Sequence, residues 1–364
     1  MGLSPLPLRA ALIPAARSKL HPRTFPGLGR DSHTVQAFRL HPAAFQRSRD
    51  TWHDSATVAA LNCIFTLSQP PEVRLGYACI NTTLAAEGVQ VNRGMIRKTF
   101  LEKGLPYASE LALKNVRDLL KIVEWNVARG IRVFRITSSL FPWASEYRLE
   151  DLPDFPEIKK VLKTIGSRGL RLTTHPDHFV KLAAQPGTVL DNSIKDLEYH
   201  AHLFDLMELP QTHWHKINIH VGGAYGDKAA TLERFAENLQ RLSPGVRNRL
   251  TVENDDKPGL FSVKELLPLH DKTGIPIVFD YFHHSLHPDG LTEEEAFLAA
   301  YHTWDVKPVF HYSSSRRLCE DPTAKKEAHA DFLHERIHTY GKSVDLVLES
   351  KMKEAALLRY LGKE

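Results

Sequence analysis

The chain has 364 residues, 42% hydrophobic and 25% charged, a composition typical of a globular protein with a large core. Its net charge of +4 arises at the amino terminus: residues 1–73 carry eight Lys/Arg and four Asp/Glu, which leaves 39 of each sign beyond them. Any basic partner-binding face must therefore be local. Cys63, Cys79 and Cys319 are far apart and form no CxxC pair, which argues against a disulfide scaffold or zinc ribbon and for a reducing compartment.

Residues 1–72 differ from the rest of the chain. They are rich in Pro and Arg, contain no acidic residue before Asp31 and show no sustained hydrophobic period. We expect a disordered extension or a start codon assigned too early. A transit peptide is the alternative, although three prolines would interrupt its amphipathic helix. The run VAALNCIFTL is too short to cross a bilayer, so we expect no membrane segment.

From Val73 onward, short β-branched apolar runs alternate with stretches of helical period, eight times in all. Eight such units in about 290 residues are typical of a (β/α)8 barrel, so we expect residues 73–364 to form a single α/β TIM barrel. An open doubly wound sheet is the alternative, but no GxGxxG or Walker sequence supports it. The predicted helices include 110–130, 193–207 and 326–340, and the predicted strands are 74–80, 132–137, 170–175, 216–221, 250–254, 276–281, 307–314 and 344–350.

Histidines and acidic residues recur where these strands end. The carboxyl ends of barrel strands meet at one mouth, where active sites are built. Left unpaired among apolar residues, such groups would be costly, whereas a divalent metal neutralises carboxylates and accepts imidazole lone pairs. From strand 3 to strand 8 the residues are His175, His220, Glu253, Asp280 with His283, His311 and Glu349.

Each of these positions also has a purely structural explanation. A histidine at the end of one strand is more often hydrogen-bonded to a neighbour than bound to metal. Six successive strands ending in this way are harder to explain by separate hydrogen bonds to neighbours. The pattern as a whole therefore indicates a metal centre. His284 and His287 follow in the same stretch, and we expect them at the rim of the mouth.

Eight sequence blocks carry a resemblance to a known family. From residue 73 to about 358 the chain resembles the ultraviolet damage endonucleases, which share the barrel fold and metal arrangement of endonuclease IV and xylose isomerase. The first and fifth blocks are the most specific. In chain order the blocks are RLGYACINTTL, FRITSSLFPW, THPDHF, NIHVGGAYGDK, VENDDK, FDYFHH, FHYSSS and DLVLESKMKE.

The resemblance implies an enzyme with three metal ions, usually manganese. It would nick duplex DNA immediately 5′ to an ultraviolet photolesion (a cyclobutane dimer or 6-4 photoproduct), through attack of metal-activated hydroxide. Glu253, His311 and Glu349 would be central to catalysis. The implied ligand sets are His175, His220 and Glu253 for one ion; Glu253, Asp280, His311 and Glu349 for the second; and His283 with His329, on the helix after strand 7, for the third.

The resemblance also implies contacts to DNA. Tyr77 would stack near an extruded lesion, although a core tyrosine is an equal alternative. Asn81 could contact phosphate or close a turn. In THPDHF, His178 and Phe179 occupy the place of a wedge that enters the duplex opposite the lesion, with loop padding as the alternative. Lys257 and Arg316, with its neighbour Arg317, could grip the DNA backbone or be merely solvated.

One position departs from the family pattern. Many members carry a carbamate-modified lysine two residues before the strand 7 histidine, where this chain has Val309. Lys307 lies one pleat further away, and because each two-residue step is ~6.6–7 Å we expect it not to reach the metals. We therefore expect a cluster without a carboxylated lysine, bridged by water or hydroxide.

Two other functions remain open from the sequence. The same barrel could be a metal-dependent sugar isomerase or epimerase, or a DNA-damage binder without turnover, although the retained Glu253 and Glu349 speak against the latter. For the nuclease, we expect a monomer acting on damaged double-stranded DNA. We expect it in the cytoplasm and nucleoid of a bacterium, or in the nucleus or mitochondrion of a eukaryote.

Overall fold

A computed structural model describes residues 70–363, so nearly all of the predicted amino-terminal extension lies outside the described residues. Eight parallel strands form one sheet in the order β6-β5-β4-β3-β2-β1-β8-β7. The strands are β1 Val73–Cys79, β2 Val133–Ile136, β3 Arg171–Thr174, β4 Ile217–Ile219, β5 Leu250–Glu253, β6 Ile277–Val278, β7 Val309–Tyr312 and β8 Val344–Leu348.

The sheet closes into a barrel between β6 and β7. An isolated parallel bridge joins Asp280 to His311, and the His311 amide donates to the Phe279 carbonyl at 3.0 Å. This closure confirms the expected eight-stranded barrel and excludes the open sheet. It also brings two predicted site residues side by side.

Helices cover the outside of the barrel. Their inner faces pack on outward-facing strand residues such as Phe134, Phe279 and Phe310, all fully buried in the main hydrophobic core. None of the described helices is both long and apolar enough to cross a bilayer. The helices are α1 Thr82–Ala86, α2 Arg97–Ala128, α3 Phe155–Gly166, α4 Thr188–Leu206, α5 Lys228–Leu239, α6 Pro244–Arg247, α7 Val263–Thr273, α8 Tyr281–Leu286, α9 Glu293–Tyr301, α10 Arg316–Cys319 and α11 Lys353–Tyr360.

A charge cluster fills the amino-terminal end of the barrel. The buried carboxylate of Asp345 accepts two hydrogen bonds from Arg74, at 2.9 and 2.7 Å, and one from Arg171 at 3.0 Å. The Lys307 ammonium lies 2.7 Å from the same carboxylate. Three cations thus share one buried acid, and Lys307 is held at the end of the barrel opposite the mouth, as we expected from its spacing.

The predicted helix 326–340 is wrong. Backbone amides in this stretch donate to side chains from other segments: Asp331 and Phe332 to the Glu320 carboxylate, and Ile337 to the Tyr360 hydroxyl. These tertiary acceptors replace the carbonyls that a helix would supply. The segment is therefore irregular, and His329 lies in a bridge with Ser315 rather than on a helix.

Close strand packing makes Gly76 in β1 a sensitive position. A Cβ atom there would lie 2.1 Å from the Val133 carbonyl oxygen of β2. We predict that Gly76→Ala lowers the free energy of unfolding by at least ~1–3 kcal/mol, because β1 and β2 must move apart to make room for the methyl group. Gly259→Ala is the control, since nothing lies within 4 Å of its added Cβ. Urea unfolding measures both, and equal stability of the two variants would contradict the prediction.

Candidate metal centre at the barrel mouth

Glu253, the last residue of β5, is the centre of the mouth. Its side chain is 1% exposed, and its carboxylate lies 3.1 Å from His175 Nε2, 3.1 Å from His311 Nδ1 and 3.4 Å from His283 Nδ1. Asn218, which points inward from β4, donates a short hydrogen bond to the same carboxylate. Side chains from five strands or strand ends therefore converge on one buried acid.

Asp280 ends the β6 segment and caps α8. One carboxylate oxygen accepts from the His283 amide at 2.8 Å, which begins the helix and turns His283 towards Glu253. The other oxygen, Oδ2, is buried and has no hydrogen-bond partner among the described residues. A buried carboxylate oxygen without a partner is costly, and a cation would satisfy it.

The last two members come from β7 and β8. His311 is fully buried, and its Nδ1 lies 3.4 Å from the Glu349 carboxylate as well as close to Glu253. Glu349 in turn pairs with the Arg135 guanidinium of β2 through a short contact. Arg135 therefore supplies positive charge beside the cluster.

Ligand atoms from these side chains form three groups, and within each group they lie within 4.8 Å of one another. Imidazole and carboxylate donors at such spacing suit a divalent transition metal, and the unpartnered Asp280 oxygen agrees with that fit. The residues present therefore fit the implied metals. The groups are His175, His220 and Glu253; Glu253, Asp280 and His283; and Asp280, His311 and Glu349.

His329 is outside these three groups. Its ring packs edge-on against Phe282 with centroids 5.2 Å apart, and its Nδ1 is buried without a hydrogen-bond partner in residues 70–363. Burial lowers the pKa of His329, and the Glu349 carboxylate acts in the opposite direction. The imidazole is thus close enough to interact electrostatically with Glu349, and its Nδ1 lacks a hydrogen-bond partner among the described residues.

Burial and charge separate the pKa values of the site groups. Burial raises the pKa of Asp280 to about 7 and lowers the pKa of His311 to about 4. Burial also opposes charge on His220, but the Glu253 and Asp255 carboxylates raise its pKa to about 9. Cations entering the cluster would displace protons from such groups, so their affinity would increase with pH.

The cluster opens into a pocket of about 370 Å³. Its walls continue from the metal groups to the segment after β3, where His178 and Phe179 are located. Phe179 is 70% exposed, and its ring lies 4.0 Å, centroid to centroid, from that of His178, which pairs with Asp177. The two predicted wedge residues therefore project from the rim beside the cluster.

Tyr77 and Asn81 are placed differently from the implied DNA contacts. Tyr77 is fully buried, packs edge-on against Phe134, and donates its hydroxyl hydrogen to Asn126 at 2.8 Å. Asn81 is 1% exposed, caps α1 by accepting from the Leu84 amide, and donates to the Tyr77 hydroxyl. The structure favours the alternatives, a core tyrosine and a turn-closing asparagine.

The remaining predicted contacts are mixed. Lys257 is exposed, while Arg316 lies 3.4 Å from Asp331 and is part of a surface ion pair. His284 and His287 are not rim residues: both are buried, and the His284 ring packs against Phe279. Their burial follows from α8, which turns the chain inward directly after Asp280.

Four polar residues that contact the site were not predicted from the sequence. Asn218 and Arg135 contact the central carboxylates, and Asp255 lies 3.0 Å from His220 Nδ1. Lys216 is fully buried below the cluster, with its Nζ 3.0 Å from His311 Nε2. The available signal was the two-residue period of a strand: Asn218 and Lys216 lie two and four residues before His220, and Arg135 is the next-to-last residue of β2.

Fold and site together define a (β/α)8 barrel with a candidate metal centre of four imidazoles and three carboxylates at its mouth. Residues 73–363 match the family model of UV-endonuclease UvdE. The chain belongs to this family.

Individual relatives agree with the family match. The UV-damage endonuclease of Schizosaccharomyces pombe is 37% identical over 306 residues, 78% of this chain and 49% of that protein. The UV DNA damage endonuclease of Bacillus cereus is 32% identical over 259 residues, 69% of this chain and 80% of that one. This chain thus spans about half the length of the fission yeast relative and most of the bacterial one.

A solved structure of the family agrees as well. The crystal structure of SacUVDE matches with 30% identity and a TM-score of 0.69, over 80% of this chain and all of that one. This match confirms the expected resemblance and barrel type. Endonuclease IV from Thermus thermophilus is a more distant match, with 16% identity and a TM-score of 0.47 over 79% of this chain and 97% of that one.

Because Lys307 is bound to Asp345 at the far end of the barrel, we predict that it carries no carbamate. Native mass spectrometry and ¹³C NMR in labelled bicarbonate measure this directly. The control is Lys307→Met, which should leave both spectra unchanged. A carbamate signal that disappears in this variant would contradict the prediction.

Proposed function

We propose that this protein is a metal-dependent DNA repair endonuclease that nicks duplex DNA immediately 5′ to ultraviolet photolesions and leaves a 3′-hydroxyl. The observation that carries the proposal is Glu253, a buried carboxylate in contact with three imidazoles and shared by two of the three ligand groups. A phosphodiester is an anion that repels hydroxide, so its hydrolysis needs the charge neutralisation that such a site offers.

In this proposal the mouth holds three divalent ions, most simply Mn²⁺. Bound there, the ions would neutralise the phosphodiester, lower the pKa of water and stabilise the departing alkoxide. The proposed ligand sets are those implied by the family: His175, His220 and Glu253; Glu253, Asp280, His311 and Glu349; and His283 with His329.

The surrounding residues hold these ligands in place. Asn218 fixes one Glu253 oxygen, and its own amide oxygen is fixed by the Thr251 hydroxyl at 2.9 Å. The Asp255 carboxylate lies 3.0 Å from His220 Nδ1, where its charge raises the pKa of the imidazole. Outer partners of this kind fix ring orientation and increase ligand basicity. Such contacts would reduce the reorganisation needed for hydrolysis.

Lesion recognition is proposed to use the exposed pair His178 and Phe179. An aromatic ring can stack in the space left by extruded bases, an interaction of ~1–3 kcal/mol per base. Extrusion costs least where a lesion has already weakened pairing, so such a wedge selects distortion rather than base identity. The 70% exposure of Phe179 supports this role, because core packing does not require the ring.

We predict that Glu253→Gln reduces nicking of irradiated duplex by at least ~100-fold. Loss of an outer partner of a metal ligand costs up to ~100-fold, and loss of a ligand itself should cost at least as much. Glutamine keeps the shape of the side chain but loses the charge that two ligand groups share. End-labelled irradiated and unirradiated duplex with Mn²⁺ measure activity, and elemental analysis measures bound metal.

Glu110→Gln is the matched control, since Glu110 is an exposed helix residue whose described ion pair is with Lys114. If Glu253→Gln nicked irradiated duplex at the wild-type rate, the metal cluster would not be needed for the reaction. A wild-type protein that leaves irradiated duplex intact but epimerises a sugar would overturn the proposed function itself.

We also predict that Phe179→Ala weakens binding and nicking of duplex with a crosslinked dipyrimidine about tenfold, as expected for one lost stacking contact. Thermal stability should change little, because the ring is mostly exposed. Phe179→Trp keeps an aromatic ring and should retain activity. Equal activity of the alanine variant and the wild type would show that the wedge assignment is wrong.

A further inference from the structure

Tyr225 is a second large aromatic side chain exposed at the mouth. It lies on the connection from β4 to α5, five residues after His220, and is 53% exposed. Its backbone is left-handed, with φ of 50°, between Gly222 and Gly226, which also have positive φ. A left-handed conformation costs a tyrosine about 1–2 kcal/mol, and strained residues of this kind concentrate at functional sites.

The exposed ring is held in a defined position. The Arg234 guanidinium of α5 lies 5.2 Å from the centre of the Tyr225 ring, on its face. Arg234 is itself anchored, because its Nε donates to the Ala183 carbonyl at 2.9 Å. The loop is tied to α5 through the Thr231 hydroxyl, which donates to the Ala224 carbonyl at 2.7 Å. Tyr225 is thus supported on its Arg234 side and open to solvent over half its surface.

The same anchors connect Tyr225 to the segment that carries Phe179. Ala183 belongs to that segment, and Gly222 packs so closely on Lys181 that an added Cβ would lie 3.3 Å from its side chain. Two neighbouring loops therefore form one surface next to the candidate metal centre. We call this surface the β3–β4 rim and define it by Phe179, Lys181, Tyr225 and Arg234.

The cations of the β3–β4 rim are not neutralised. Within residues 70–363, neither Lys181 nor Arg234 forms an ion pair with a carboxylate; Arg234 donates instead to the Ala183 and Ala230 carbonyls and to the Thr231 hydroxyl. Some other surface cations of the domain are paired, for example Lys163 with Glu208 at 2.8 Å and Lys228, also on α5, with Glu265 at 2.6 Å. Two uncompensated cations beside two exposed aromatic rings fit a polyanion that also presents flat apolar faces.

We propose that the β3–β4 rim is a nucleotide-binding platform of this protein, in which Tyr225 stacks on a base or packs on a sugar of the DNA beside Phe179, while Lys181 contacts phosphate. This inference rests on the proposed endonuclease function and adds three residues to it. Arg234 is a positioning residue, because it supports the face of Tyr225 that DNA does not contact.

The experiment measures single-turnover nicking of a crosslinked dipyrimidine duplex over a range of enzyme concentrations. Tyr225→Ala should raise the half-saturating concentration about tenfold. Alanine keeps the left-handed strain, so a fold defect specific to this variant is not expected. Tyr225→Phe and Tyr225→Trp retain a ring and should remain within about twofold of wild type. Leu361→Ala, exposed at the end of the last helix, is the control.

Salt dependence separates stacking from phosphate contact. Lys181→Met should reduce the slope of log affinity against log salt by about 0.9, the loss of one phosphate contact, whereas Tyr225→Ala should leave the slope unchanged. Thermal unfolding and bound metal should be unchanged in every variant.

A Tyr225→Ala variant that saturates like an active wild type would overturn this inference alone. The same holds if the phenylalanine and tryptophan variants fail as the alanine variant does, because a ring would then not be the feature required. A wild-type protein without lesion-dependent nicking would instead overturn the proposed function on which the inference rests.

Discussion

The whole mouth depends on one buried carboxylate. Burial opposes charge on Glu253, yet its pKa is kept well below its usual range, because charge on the facing imidazoles and hydrogen bonds from His175 and His283 outweigh burial. An isolated carboxylate at this depth would take up a proton. Imidazoles at the ends of β3 and β4, on β7 and on α8 therefore surround the carboxylate, and the barrel geometry brings them there.

The barrel interior below Glu253 is largely polar. Asn218 and Thr251 form a hydrogen-bonded step directly below Glu253, and the apolar layer is small, consisting of Ala78, Val133, Val309 and Val347 with Cys79 against it. Hydrophobic burial is instead concentrated outside the strands, under the helices. The interior thus fixes the positions of the site side chains. The layer between strands and helices supplies most of the apolar burial that stabilises the fold.

Much of this arrangement was predictable from the sequence. All eight strands lie within the predicted ranges or a residue of them, and the site residues at the strand ends are brought together, because strand register and the barrel mouth follow from the β/α alternation. The irregular segment 326–340 was not predictable, since its amides bind acceptors such as Glu320 and Tyr360 that are remote or outside any local pattern. Nor was the burial of Tyr77 and Asn81, which depends on packing against α2. Lys216 was missed because a lysine at the start of a strand is normally solvated, and only the closed barrel shows that it reaches His311.

The pairing of the first strand with the last has a consequence for how the domain is made. β1 and β8 are in register from Val73 with Val344 to Tyr77 with Leu348, and the Arg74–Asp345 contact spans 271 positions in the chain. On the ribosome, β1 therefore has no partner on that side until nearly the entire domain has been synthesised. Contacts so distant in sequence form late and slowly, and an open strand edge invites pairing with other chains in the meantime. The earlier strands can assemble as they emerge, but the ring closes only after β8 has emerged.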